Sequence, residues 1–182
     1  HSEMLVALAT GFNAVDILAA PKTERDALDS QLAIAQAMVP GKETRIRIIA
    51  PLEPDALCDA LYVAAPAPLD IQPILPLGGR RDATRLAASA LAPDLPILPL
   101  PQGAPYGAVL VDTDACTLCL ACASLCPSGA LGDNPDAPQL RFKEDACLQC
   151  GICVSTCPEN AITLQPQMDL SAAALNDNIV HE

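Results

Sequence analysis

The chain has 182 residues with 22 acidic and 10 basic side chains, a formal charge of −12, and nine cysteines beside only two phenylalanines and two tyrosines. That acidity repels phosphate backbones and the anionic face of a membrane, which excludes nucleic-acid or lipid-surface binding by charge. With 51% apolar and 18% charged residues the chain is too hydrophobic to stay disordered, so a folded protein is expected, its core made of Leu, Ile, Val and Ala.

Met4–Ala9 and Ile46–Leu52 are the longest apolar stretches, far short of the roughly 20 residues that a bilayer requires, so membrane insertion is not expected. His1-Ser2-Glu3-Met4 lacks the basic start of a signal peptide, and the cytoplasm is the expected location. Met4–Ala9 and Arg45–Ala50 are suited to buried strands, with weaker proline-flanked candidates at Ile71–Leu75 and Ile97–Leu100. Between them, Leu28, Leu32, Ala35 and Val39 fall on one face of a helix from about Thr23 to Val39, ended by Pro40-Gly41. Leu57 and Leu61 mark a second helix after Pro54, and Leu86, Ala90 and Leu91 a third that begins near Arg80. Alternating β and α elements predict that residues 1–105 form a small α/β domain with a mostly parallel sheet.

Two features of this first part are weighed as ligand sites. Gly78-Gly79-Arg80-Arg81 opens a helix and offers two arginines to an anion, but lacks the glycine pattern of a nucleotide loop. The turn Thr10–Ala14 follows the first expected strand, at the end where open α/β sheets bind ligands, but carries no titratable or metal-binding group. Cys58, in an apolar helical stretch, is expected to be a buried structural thiol.

The other eight cysteines form two runs, Cys116, Cys119, Cys122, Cys126 before Pro127 and Cys147, Cys150, Cys153, Cys157 before Pro158. Both have the spacing C-x2-C-x2-C-x3-C-P. Three cysteines two residues apart let a short loop curl around one corner of a cubane while backbone N–H groups point at its sulfurs. The proline then redirects the chain, so that the fourth cysteine is best placed to reach a neighbouring cluster. Disulfides are disfavoured by the C-x2-C spacing and the missing secretory signal, and a zinc ribbon does not need the extra cysteines of each run.

The runs superpose at an offset of 31 residues, Cys116 on Cys147, and the match extends to Asp114-Ala115 on Asp145-Ala146, Ser124 on Ser155 and Ala130 on Ala161. Extended segments precede each run, Val109–Asp112 and Leu140–Lys143, and follow it, at Leu131 and Ile162–Leu164. An internal repeat of strand, cluster loop, short helix and strand is predicted, its halves related by an approximate two-fold axis.

On these residues the stretch from about Tyr106 to Gln165 resembles the bacterial dicluster 2[4Fe–4S] ferredoxins, small electron carriers or electron-carrying modules of larger enzymes. The resemblance implies an α+β ferredoxin-like domain over residues 106–168 with pseudo-two-fold symmetry, followed by a polar tail, 169–182. It also implies two [4Fe–4S] clusters: cluster I on Cys116, Cys119, Cys122 and Cys157, and cluster II on Cys147, Cys150, Cys153 and Cys126. Leu120 departs from the pattern, since the second run has Gly151 there.

The order of an α/β segment before a dicluster module is also similar to larger multi-cluster 4Fe–4S proteins, whose leading segment resembles the small iron–sulfur subunit associated with hydrogenase and heterodisulfide reductase. In such relatives the first turn can carry cysteine, whereas here it is Gly11-Phe12-Asn13-Ala14-Val15, so no metal site is expected there. The expected function is electron transfer by a module of a larger iron–sulfur protein or complex. Each oxidised cubane with four thiolates adds about −2, so the assembled charge approaches about −16, which favours low potentials and a redox partner with a basic docking patch. No catalytic residue is expected, and the terminal His1 and His181 are poor candidates for one. The alternative is an enzyme in which the α/β domain binds an organic cofactor or substrate and the clusters supply electrons.

Overall fold

The first turns of the chain show why an apolar run is ambiguous until its burial is known. In the computed structural model, which describes residues 1–51 and 53–182, Ser2–Ala9 is a helix, α1. Ser2, Leu5, Leu8 and Ala9 are its buried residues, a spacing that belongs to one face of a helix. The strand expected at Met4–Ala9 is therefore corrected: Leu, Ala, Glu and Met favour helix, and Val6 alone is β-branched. The first strand is instead β1, Val15–Leu18, a four-residue segment whose Asp16 breaks the apolar run. Leu52, the last residue of the second apolar stretch, lies outside the described residues.

The chain divides into two units, His1–Leu95 and Pro96–Glu182. In the first, α2 (Arg25–Ala37) leads to β2 (Ile46–Ile49), which pairs parallel with β1 in the register Val15↔Ile46 to Leu18↔Ile49. Two helices follow, α3 (Pro54–Leu61) and α4 (Arg80–Leu91). The α4 helix packs on α1, where the Thr84 hydroxyl meets that of Ser2 at 2.8 Å, and the core gathers Leu5, Leu8, Ile34, Met38, Ile46 and Leu91. Lys42 Nζ donates to the Leu91 carbonyl at 2.8 Å, satisfying one of the carbonyls that a helix end leaves open. Ile71–Leu75 forms no strand; only its Ile74 N–H reaches the main chain of α1, at Ala9 O, 2.9 Å. Cys58 is exposed, because α3 buries none of its residues, so the expected buried thiol is corrected.

The second unit begins earlier than the sequence boundary at residue 105. Strand β3 (Ile97–Pro99) belongs to it, antiparallel to the long β7 (Ile162–Asp169), with Leu98 opposite Met168. Then come β4 (Gly107–Val111), the short helix α5 (Ala121–Ser124), β5 (Leu131–Asn134), β6 (Ala137–Phe142) and α6 (Ile152–Thr156). The expected polar tail is structured: Asn178–His181 forms β8 on the free edge of β6, and Val180 packs against the core.

Two antiparallel three-stranded sheets result, in the orders β3-β7-β4 and β5-β6-β8. The strand before each cysteine run pairs with the strand after the other run, and the 31-residue offset preserves the register. Val111 faces Ile162 as Phe142 faces Leu131, and Leu110 faces Thr163 as Arg141 faces Gly132. The ladder bond Asp112 N–H to Ala161 O recurs as Lys143 N–H to Ala130 O, both at 2.8 Å. Val109, Ala130, Leu131, Leu140, Phe142 and Ile162 from these strands form the core together with Cys122 and Cys147.

Candidate metal centre

Each cysteine run is a loop bent by residues in the left-handed region. Leu118 and Leu120 have φ of 53° and 58°, and their repeats Gln149 and Gly151 have 54° and 79°. Alternating positive and negative φ turns successive N–H groups toward one side, the arrangement that favours an anionic group. A short helix follows each loop, and the serines at equivalent positions bond back within it, Ser124 Oγ to Leu120 O at 3.1 Å and Ser155 Oγ to Gly151 O at 3.2 Å. Gly129 and Asn160, again repeats of one another, turn the chain with positive φ (67° and 52°) toward the following strand.

These loops border two cavities. Cys116, Cys119, Cys122 and Cys157 line one, with Leu118, Leu120, Leu140, Glu159 and Ile162 among its walls. Cys126, Cys147, Cys150 and Cys153 line the other, beside Val109, Ser128, Phe142, Gln149 and Leu164. Three neighbouring cysteines of one run thus share each cavity with the fourth cysteine of the other run. Cys122 and Cys147 are buried, Cys119 and Cys150 exposed, and the rest half-buried. Among the described residues no three His, Cys, Asp or Glu groups are gathered closely enough to hold a single metal ion. Four thiols spread around an apolar cavity would suit a polynuclear group better than a single ion, with the cysteine sulfurs as its ligands.

The electrostatics agree with a cationic iron core. Burial pushes the Cys153 thiol up to about 11, and the neighbouring thiols Cys147, Cys122 and Cys150 add to the effect. Burial likewise raises Cys122. Thiolates in such surroundings need positive charge beside them. Cys126 differs: burial raises it too, but the Leu131 N–H at 3.4 Å, the Ser128 hydroxyl and further backbone donors hold it below the ordinary thiol value. The fourth cysteine of the other run also accepts a backbone bond, from Ala161 N–H at 3.3 Å.

Residues 115–162 match the family model described as the 4Fe–4S dicluster domain. The match supports an iron–sulfur domain of ferredoxin type in this stretch, one that binds 4Fe–4S and suggests electron transfer. It spans all eight clustered cysteines but only 48 of the 182 residues. No curated protein matches the chain.

The other sequence candidates are engaged elsewhere. Asp82 caps the start of α4 by accepting the Gly79 N–H at 2.8 Å, and Arg80 pairs with Glu3 at 2.6 Å, so the Gly78–Arg81 segment serves the helix start. The Thr10–Ala14 turn joins α1 to β1 rather than following a strand. Nearby, a cleft of about 390 Å³ is lined by Asn13, Asp16, Arg47 and Leu61, but Asp16 and Arg47 bond each other in bidentate fashion at 2.7 and 2.8 Å. The repeat comparison missed Gln149, Ser128 and Glu159 as cavity residues, although they stand where the two runs differ. It also missed His181, whose Nε2 lies 3.2 Å from the Cys116 carbonyl oxygen.

Proposed function

We propose that the second unit carries electrons through two [4Fe–4S] clusters, one on Cys116, Cys119, Cys122 and Cys157 and the other on Cys147, Cys150, Cys153 and Cys126. The observation that supports this reading is the division of the eight cysteines between two cavities, each drawing three sulfurs from one run and one from the other. When bound, the clusters supply one-electron chemistry at low potential. The protein's part is to hold them: thiolates bond the irons, loop N–H groups face the sulfurs, and Leu118, Leu140, Ile162, Val109, Phe142 and Leu164 exclude water from the walls. No bond-making chemistry is assigned to the chain itself.

The second unit has ten acidic side chains against two basic ones, a net −8 before any cluster is added. Its redox partner therefore presents a basic docking surface, either on a separate protein or on another part of a larger iron–sulfur assembly in a reducing cytoplasm. Anaerobic purification with iron and sulfide analysis, absorption and EPR tests the reading. About eight irons per chain and a spin-coupled signal on reduction are expected. A preparation that holds only zinc overturns it.

A further inference from the structure

The two halves of the repeat match in backbone and register, so the places where their side chains differ at the cavities stand out. At the cavity of Cys126, Cys147, Cys150 and Cys153, Gln149 Nε2 donates to Cys147 Sγ at 3.4 Å. The Ser128 hydroxyl lies 3.7 Å from Cys126 Sγ, and a thiolate can only accept, so the hydroxyl donates. The repeat of Gln149 is Leu118 and the repeat of Ser128 is Glu159, and both of these line the other cavity. At these two repeat positions one cavity offers neutral donors to its sulfurs where its twin has an alkyl group and a carboxylate.

Some other influences are shared, while Thr117 lines the cavity of Cys116 where its repeat, Leu148, lines the other. Each fourth cysteine accepts one backbone bond of similar length, Leu131 N–H at 3.4 Å and Ala161 N–H at 3.3 Å, and the Ser128 and Ala130 backbone donors beside Cys126 act in the same sense as the Ser128 hydroxyl. Each cavity has one exposed cysteine, Cys119 or Cys150. His181 spends its Nε2 on a backbone carbonyl rather than on a sulfur. Apart from the cysteines, Glu159 is the one residue with a formal charge among the described residues lining either cavity.

Hydrogen bonds to cluster sulfurs favour the more negative, reduced state, and a nearby carboxylate opposes it. We propose that Gln149, Ser128 and Glu159 polarise the pair, so that the cluster on Cys126, Cys147, Cys150 and Cys153 is the more readily reduced. The first electron from a one-electron donor settles there, the donor being oxidised by one electron with no bond made or broken. The cluster on Cys116, Cys119, Cys122 and Cys157 is the poorer acceptor and the stronger reductant. Gln149, Ser128 and Glu159 act through the ligands and are positioning residues. The inference rests on the two-cluster reading above.

An EPR-monitored redox titration of the anaerobic full chain with dithionite tests it, with iron counted on the same samples. The wild type should show two separate one-electron waves. Ser128→Ala and Gln149→Leu should each lower only the upper wave, and Glu159→Gln should raise only the lower one. Each should alter the electron's partition several-fold, where tenfold corresponds to about 59 mV for a one-electron couple. If Gln149→Leu loses iron through misfolding, Ser128→Ala and Glu159→Gln decide. Coincident waves in a chain with about eight irons, or a Glu159→Gln effect on the upper wave, overturns the polarity alone. About four irons overturns the two-cluster reading on which it stands.

Discussion

Gly107 leaves open the space that the Gln149 side chain occupies. A Cβ at residue 107 would collide with the Gln165 carbonyl of the paired strand and with the Gln149 amide, whose Nε2 donates both to Ala108 O at 3.1 Å and to Cys147 Sγ. Gly107→Ala should therefore destabilise the second unit by about 1–3 kcal/mol, the usual range for overpacking, and detach Gln149 from the sulfur. Denaturant unfolding of the iron-loaded chain measures the first effect. An unchanged midpoint would show that β4 shifts freely, against its ladder to β7.

Glu144 is a buried acid with its oxygens committed. It accepts Gln167 Nε2 at 3.0 Å and the Asp169 N–H at 2.8 Å, tying the entry of the second cysteine run to the end of β7. Glu144→Ala strands a backbone donor and an amide, with an expected loss of about 1–3 kcal/mol, whereas Glu144→Gln should recover part of it. Faster hydrogen exchange at Asp169 in the alanine variant is the direct readout.

Leu120 tolerates a left-handed φ of 58° where its repeat is Gly151 at 79°. A Cβ at Gly151 meets nothing within 4 Å, so Gly151→Ala carries only the backbone penalty of about 1–2 kcal/mol. Iron content should stay at the wild-type level while the thermal midpoint falls. Loss of half the iron would mean that Leu120 is accommodated by surroundings that the second run lacks.

Iron removal should separate the two units. Cys122 and Cys147 lie within the core of the second unit, so a group held by their sulfurs would brace the strands around it. Anaerobic chelation should abolish exchange protection in β4–β8 while the amides of α1, α2 and α4, around Leu5, Leu8, Met38 and Leu91, stay protected. Retained protection in β6 and β7 would show that the strands stand without metal.

A smaller effect concerns acid. A hydrogen bond from its own backbone N–H at the start of α1 holds the Glu3 carboxyl below the usual carboxylate range; Arg80 adds to this and partial burial opposes it. A folded pKa below the unfolded one means that the stabilisation is present above the unfolded value, about 4.3, and is lost as pH falls through the folded value. Glu3→Gln should weaken α1 at neutral pH by less than about 1 kcal/mol, since the pair with Arg80 is exposed, and the difference should vanish in acid. Exchange rates of the α1 amides, followed against pH, check the sign.

What could be read in advance was what covalent spacing dictates. Cysteine intervals and prolines stated the two loops, and the 31-residue offset singled out Leu120 against Gly151 before the reason, a positive φ, was visible. Long periodic helices such as α2 were legible because their apolar face repeats over three turns. Met4–Ala9 misled because six residues of Met, Leu, Val and Ala suit either period, and only the packing on α4 selects the helix. Strands β3 and β8 escaped assignment to the second unit because a three- or four-residue strand owes its existence to its partner, β7 or β6, rather than to its own pattern. Cys58 followed a correct apolar helix into a wrong burial, since α3 has a hydrophobic face with little laid against it.

The exchange of fourth cysteines between cavities makes the domain indivisible. A chain cut after β5 keeps Cys126 but not the three sulfurs with which it shares a cavity, and it leaves its own trio without the fourth cysteine of its cavity, Cys157. On the proposed ligation neither half of the duplicated unit would be matured alone, and damage to the last cysteine of the second run, Cys157, would be felt first at the far run, around Cys116. Assembly is thereby tied to translation of the whole unit: the first loop stays incomplete until residue 157 has been made.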